Sequence, residues 1–290
     1  MKIAGFTIIR NAIKFDYPVV EAIKSILPIC DEFIVAVGAS DDDTLKLIEN
    51  INSPKIKIIT TIWDDNLREG GKVLADETNK AFDAISEEFD WCFYIQSDEI
   101  IHEKYLPIIK NRLANLINET DVEGILFNYS HFYGSYDYVA RSRQWYKKEI
   151  RIIRNNKEIR SYKDAQGFRK NGQKLKVKMV NASVFHYGWV KHPKEQQAKQ
   201  LSFNKMWHDN NWMENNIEKV DEFDYSNIDT LEMFNETHPK VMLQRIKNIN
   251  WSFSFNPTHK KAPLKTRVLR FIETKLNYQF GEYKNYILIK

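Results

Sequence analysis

The chain has 290 residues, enough to bury a substantial core, and its 43% apolar and 13% aromatic content excludes a disordered protein. Its net charge of +4 is too mild to argue for nucleic acid, and the two cysteines, Cys30 and Cys92, lie in apolar settings with no CxxC or Cys/His zinc pattern. Arg10 stands where a signal peptide would still be apolar, and no apolar run reaches membrane-spanning length, so a cytoplasmic protein is expected.

The first part of the chain alternates strand and helix signals. Residues 2–9 form a short apolar run ending at Arg10-Asn11. Pro18 opens a helix with Val19, Val20, Ala22, Ile23, Ile26 and Leu27 on one face, closed before Pro28. A second buried run, 33–37, leads through Gly38-Ala39-Ser40 to Asp41, Asp42 and Asp43, acids suited to the start of a helix whose apolar face is Leu45, Ile48 and Ile51. Strand signals at 56–59 and 91–95 bracket a third helix over 70–86. A helix over 107–117 and a strand over 123–129 follow, then an aromatic loop, HFYGSYDY, at 131–138. Residues 147–178 carry twelve Lys/Arg against three acids, and hold a strand-like EIRIIR (149–154) and a loop, SYKDAQGFRKNG (161–172). A late strand over 182–185 ends in His186. Beyond Pro193 the chain turns helical and polar, passes an acidic stretch (214–236) and a helix (239–249), and finishes in a basic, aromatic tail. The organisation expected is a core, 1–193, with a helical, basic C-terminal extension, 194–290.

Short continuous apolar strands alternating with helices imply a mostly parallel α/β sheet covered on both faces, and such sheets bind ligands at the carboxyl ends of their strands. Asp98 lies at the carboxyl end of the fourth strand, level with Arg10-Asn11 and with Ser40–Asp42. An Asp at a strand end and a distant His suit a divalent cation carrying a diphosphate. Mg²⁺ and Mn²⁺ take oxygen ligands and keep positions open for substrate phosphates, and Mn²⁺ accepts imidazole. Asp98 and His186 are the expected ligands. Taken singly, each has an ordinary alternative, as a solvated strand end and as a packed histidine.

Together these residues resemble a GT-A-fold glycosyltransferase near the large inverting family 2. That family shows a loop reading roughly D-D-G-S-x-D-x-T after its second strand; here Val37 to Thr44 retain Ser40, Asp42 and Thr44. It shows a D-x-D at the end of the fourth strand; here Gln96-Ser97-Asp98 retains the second acid. Arg10-Asn11 resembles the end of the family's first strand, Gly71-Lys72 its nucleotide-side segment, and VFHYGW (184–189) the late metal-ligand histidine of related enzymes. The match covers about residues 1–190. It implies a GT-A-like (Rossmann-like) sheet and a metal-dependent transfer of sugar from a nucleoside-diphosphate donor to a glycan or lipid-linked acceptor, as in surface polysaccharide or lipopolysaccharide synthesis. Arg10, Asn11, Ser40, Asp42, Lys72 and Gln96 would hold the donor; Mn²⁺ or Mg²⁺ would sit at Asp98 and His186.

Val37-Gly38 departs from the acids with which family members hold uracil, and Gln96 replaces the first D-x-D acid, where it can still hydrogen-bond a ribose. An inverting transfer needs an acceptor-side carboxylate to take the hydroxyl proton. Asp164, in a loop with Gly167 and Gly172, is the first candidate, followed by Glu149 and Asp137. The aromatic loop suits stacking on a sugar, and the basic segment suits an anionic donor or acceptor. In the tail, KTRVLRFIETKL (265–276) has basic residues between apolar ones at helical spacing, a pattern for peripheral contact with an anionic membrane face. The competing function is a non-catalytic carbohydrate- or nucleotide-binding protein on a decayed transferase fold. Nucleic acid is not an expected partner, because no nucleic-acid motif accompanies the basic segment.

Overall fold

The computed structural model describes residues 1–217, 220–228, 230–255, 272 and 283–290. Every residue of β1 (Ile3–Ile9) is buried, as a strand covered on both faces must be. It lies between β2 (Glu32–Gly38) and β4 (Trp91–Tyr94), and β3 (Ile56–Thr61) lies outside β2, so β3-β2-β1-β4 is a parallel set. Alternate residues feed two cores. Ile3 and Ile9 pack with α1 (Val19–Ile26), α2 (Thr44–Glu49) and later α4 (Leu106–Asn115), whereas Ala4, Phe6 and Ile8 pack with α3 (Lys72–Asp83) through Ala81 and Phe82. The α/β, GT-A-like architecture expected from the motifs is therefore present: a Rossmann-like parallel set flanked by helices on both faces.

Beyond β4 the sheet becomes mixed. β5 (Glu99–Ile101) follows directly on the Asp98 turn; β6 (Gly124–Tyr133), β7 (Ser135–Ala140) and β8 (Lys148–Arg154) continue the sheet, with β8 antiparallel to both β4 and β6. A separate small sheet is made of β9 (Ile159–Tyr162), β10 (Gly167–Lys170) and β11 (Gln173–Lys174). The long β12 (Lys176–Trp189) runs parallel to β6 and antiparallel to β5. Then come α5 (Pro193–Lys205), α6 (Asn210–Asn216), β13 (Leu231–Met233) beside β7, α7 (Leu243–Lys247), and β14 (Ile287–Leu288) against the start of β12.

Three local expectations change. The aromatic segment 131–138 is a hairpin rather than a loop: Gly134, at φ +74°, makes the reversal between β6 and β7, and Phe132 and Tyr136 are core residues. Residues 161–172 fold largely into β9 and β10, leaving Asp164 in the turn between them, where Lys163 and Ala165 both take positive φ. His186 lies inside β12 rather than at its end, because pairing with both β5 and β6 carries the strand on to Trp189. Apart from Ile272, the tail segment 265–276 lies outside the described residues.

Candidate active site

Strand register brings the two expected ligands together. Glu99 of β5 pairs with His186 of β12, and the Tyr187 backbone N–H donates to the Asp98 carbonyl at 2.8 Å. Asp98, one residue before Glu99, is thereby set beside the imidazole: His186 Nε2 lies 3.7 Å from Asp98 Oδ1. Gly188 makes this meeting possible. A Cβ there would fall 2.6 Å from Asp98 Oδ2 and 2.8 Å from His186 Nε2 and Cε1.

The hydrogen-bond network assigns the tautomer of His186. His131 Nε2 lies 2.8 Å from the Tyr146 carbonyl, which can only accept, so that nitrogen carries the proton. Burial holds the pKa of His131 well below its ordinary value, leaving Nδ1 as a bare acceptor. His186 Nδ1, 3.2 Å away, must then donate to it. Burial also lowers the pKa of His186 against the opposing pull of Asp98 and Glu99, so the ring is neutral and its Nε2 lone pair faces a carboxylate oxygen. Two acceptors face each other with no proton between them, across a gap that two metal–ligand bonds of about 2.1 Å can bridge. The residues fit a divalent cation. Among the described residues no third His, Cys, Asp or Glu joins them, so substrate phosphates or water would complete the shell.

A fixed cation also stands on the same carboxylate. Lys199 of α5 places Nζ 3.0 Å from Asp98 Oδ2 and 2.9 Å from the Gly188 carbonyl, 5.0 Å from the Tyr17 ring centroid. Burial opposes the charge on Asp98, but the Lys199 ammonium outweighs it and holds the Asp98 pKa far below the usual carboxylate range. Lys191, fully buried against Tyr17, is pushed down to about 7 by burial and then by Lys199.

Two adjoining cavities open on this cluster and share Ile8, Tyr17, Ser97, Lys199 and Phe203 in their walls. The smaller, about 360 Å³, is lined by Gln96, Asp98, Asp164, His186 and Trp189. The larger, about 670 Å³, extends past Arg10, Asn11, Asp41, Trp63 and Arg68. Of the residues expected at the site, Asp98, His186, Gln96 and Asp164 thus meet in one cavity, and Arg10 and Asn11 line its neighbour. Burial raises the pKa of Asp164 against the hydrogen bonds it accepts from backbone N–H groups. Gly71, at φ +70°, lets the start of α3 approach this turn, since a Cβ there would meet the Asp164 Cβ at 2.8 Å.

Four expected residues lie elsewhere. Ser40 Oγ accepts from the Asn11 N–H at 3.0 Å, and Asp42 accepts from the Lys14 N–H at 2.8 Å and from Thr44, so both brace the β1–α1 loop. That bracing holds Asn11 at φ +56° with its Oδ1 on the Asp41 N–H. Lys72 is exposed and pairs with Glu69 at 2.7 Å. Glu149, 1% exposed, lines neither cavity: its Oε1 accepts from the Ile150 N–H at 2.9 Å, beside Asn285 and Gly167, and burial raises its pKa to about 7. A carboxylate so enclosed has no route to an acceptor hydroxyl.

Against known proteins, no family model and no curated protein matches the chain. Among solved structures it is similar to TarS of S. aureus, residues 1–349, at 14% identity and TM-score 0.38, over 70% of this chain and 64% of that one. The same TarS piece in complex with UDP gives 16% identity and TM-score 0.39 over the same shares. Glucosyl-3-phosphoglycerate synthase of Mycobacterium tuberculosis, with Mn²⁺, UDP and phosphoglyceric acid, gives 19% identity and TM-score 0.30, over 46% of this chain and 43% of that one. The chain thus spans less than two thirds of each of these proteins. The side chains described above, rather than these overlaps, carry the functional reading.

Sequence reasoning missed the support beneath the site. Glu99 and Arg151 are both fully buried and form a two-pronged pair, with Arg151 Nε and Nη2 each 2.7 Å from a Glu99 oxygen. Glu99 also accepts from the Tyr129 hydroxyl at 2.8 Å and the Gln96 N–H at 3.1 Å. Arg151 Nη1 reaches the Gln166 carbonyl at 2.7 Å, tying the Asp164 turn to the Asp98 edge. Adjacency of Glu99 to Asp98 was the only signal. Lys199 gave none, because α5 buries Gln196 and Gln197 and has no apolar stripe to orient it.

Proposed function

We propose that the protein is a nucleotide-sugar-dependent glycosyltransferase that uses Mn²⁺ or Mg²⁺. The observation that carries this reading is the bare His186 nitrogen facing the Asp98 carboxylate, 3.7 Å apart, at a strand-end edge where two cavities meet. Asp98 and His186 would hold the cation, which when bound neutralises the charge that develops on a departing nucleoside diphosphate. The donor nucleotide would lie in the larger cavity along Arg10 and Asn11, and Gln96, in the smaller cavity, would meet the donor where the two cavities join. Asp164 would take the proton of the acceptor hydroxyl as that oxygen bonds to the anomeric carbon and the bond from that carbon to the diphosphate breaks. Its raised pKa suits a base, because a carboxylate that binds its proton more tightly than usual abstracts one more readily. Trp189, in the same cavity, offers a stacking face to an acceptor sugar. The resemblance in the sequence motifs favours inversion, and a glycan or lipid-linked acceptor of surface-polysaccharide synthesis. No helix among the described residues is long and apolar enough to cross a membrane.

A screen of nucleotide sugars by thermal shift and by diphosphate release, with and without Mn²⁺, tests the reading. One donor is expected to be turned over in Mn²⁺, with Asp98→Ala and His186→Ala each losing roughly 100-fold or more while remaining folded. Metal-dependent turnover that survives both substitutions would refute the metal seat. A donor bound tightly but never cleaved, with any acceptor or with water, would favour a non-catalytic binding protein.

A further inference from the structure

Resting on the transferase reading, we propose that Lys199 is a second, resident cation for the donor diphosphate, so that nucleotide binding does not depend on the metal alone. Asp98 is divided between two partners: Oδ1 faces His186 Nε2, and Oδ2 holds the Lys199 ammonium at 3.0 Å. A cation seated at Oδ1 therefore leaves the ion pair at Oδ2 in place, and the two positive centres would flank a single carboxylate. An ammonium has three N–H donors. Two of them are used, on Asp98 and on the Gly188 carbonyl, and no acceptor for the third is present among the described residues. The side chain lies where the two cavities join, between the arm that holds Asp164 and Trp189 and the arm that holds Arg10 and Asn11. A diphosphate linking a nucleoside in one arm to a sugar in the other would cross at this point.

The surroundings fix the ammonium in place. The Tyr17 ring lies 5.0 Å from Lys199 Nζ and 4.7 Å from Lys191 Nζ, and Lys191 is anchored in turn on the Asp16 carbonyl. Because the stem of Lys199 is buried, little side-chain freedom is left to lose when an anion arrives. An ordered ammonium in a poorly solvated wall is a stronger partner for phosphate oxygens than a surface lysine. A purely structural lysine, balancing Asp98 and nothing more, is the competing role, and it makes a different prediction.

Calorimetric titration of the full chain with UDP, GDP, CDP, ADP and dTDP, each in excess Mn²⁺ and again in excess EDTA, separates the two. The best of these ligands is expected to bind wild-type protein in both conditions, more weakly by about 10- to 100-fold in EDTA. Lys199→Met should weaken binding in EDTA by a further factor of about 10 or more, and Lys199→Arg should restore most of it. If Lys199 only balances Asp98, Lys199→Met will bind the nucleotide in EDTA as tightly as wild type and will bind Mn²⁺ alone more tightly; that result overturns the proposal. Wild-type binding in Mn²⁺ that vanishes in EDTA also overturns it, while leaving the transferase reading intact. Failure of every diphosphate to bind wild type in Mn²⁺ brings down the transferase reading itself. The wild-type arms need no variant, and Lys199→Gln replaces the Met variant should that one not fold.

Discussion

Arg151→Met is the most informative perturbation of the scaffold beneath the site. Glu99 accepts four hydrogen bonds, two of them from Arg151, and both side chains are fully buried. Removing the guanidinium leaves a carboxylate in the core with only Tyr129 and the Gln96 N–H, and losing one partner of a buried pair costs about 3–5 kcal/mol. For a chain of this size that lowers the melting temperature by on the order of 10 °C. Glu99→Gln placed on top of Arg151→Met removes the stranded charge, while the amide oxygen can still accept from Tyr129 and Gln96. The double variant should therefore recover roughly 2–3 kcal/mol of the loss, and the coupling between the sites should exceed that by the cost of Glu99→Gln alone. Urea unfolding of wild type, both single variants and the double variant closes the cycle. If the double variant is as unstable as the sum of the singles, Arg151 stabilises through packing and the ion-pair argument fails.

Three further outcomes follow from the same geometry. Burial raises Glu149 to about 7, so the folded state binds its proton more tightly than the unfolded chain does. Its stabilising contribution is complete below the ordinary carboxylate range and is lost as pH rises through about 7, a change of about 3 kcal/mol. Glu149→Gln should flatten the stability profile between pH 5 and 8 by about that amount while retaining turnover; parallel wild-type and variant profiles would contradict it. Gly188→Ala places a methyl group between Asp98 and His186 and should weaken Mn²⁺ binding by roughly 10- to 100-fold, read by calorimetry on protein whose circular dichroism is unchanged. Asp164→Asn should lower turnover by roughly 10²–10⁴-fold with donor affinity retained, and the acid limb of the wild-type rate profile should lie above the ordinary aspartate range; equal loss of turnover and affinity would mark a structural role.

The parallel half of the fold was legible because its signals are local. Continuous apolar runs separated by amphipathic helices leave few other arrangements, and β1 to β4 emerge close to where the hydrophobic pattern puts them. Asp98 and His186 could be nominated from chemistry and order along the chain. Their meeting could not, since it depends on Glu99 pairing with His186 across 87 residues of chain and on a glycine two positions further along β12. Glu149 misled for the converse reason: a carboxylate in a basic segment looks accessible until the chain's last residues, through Asn285, close over it.

The sequence by itself determined the α/β class, the strand-end edge and the residue types able to grip a cation, because those follow from period, polarity and ligand chemistry. The tertiary structure alone decided which acids face the cavities, which tautomer His186 adopts, and that Lys199 shares Asp98 with it. Those outcomes depend on distances of a few ångströms between segments far apart in the chain, and on how deeply each group is withdrawn from water, neither of which a one-dimensional pattern encodes.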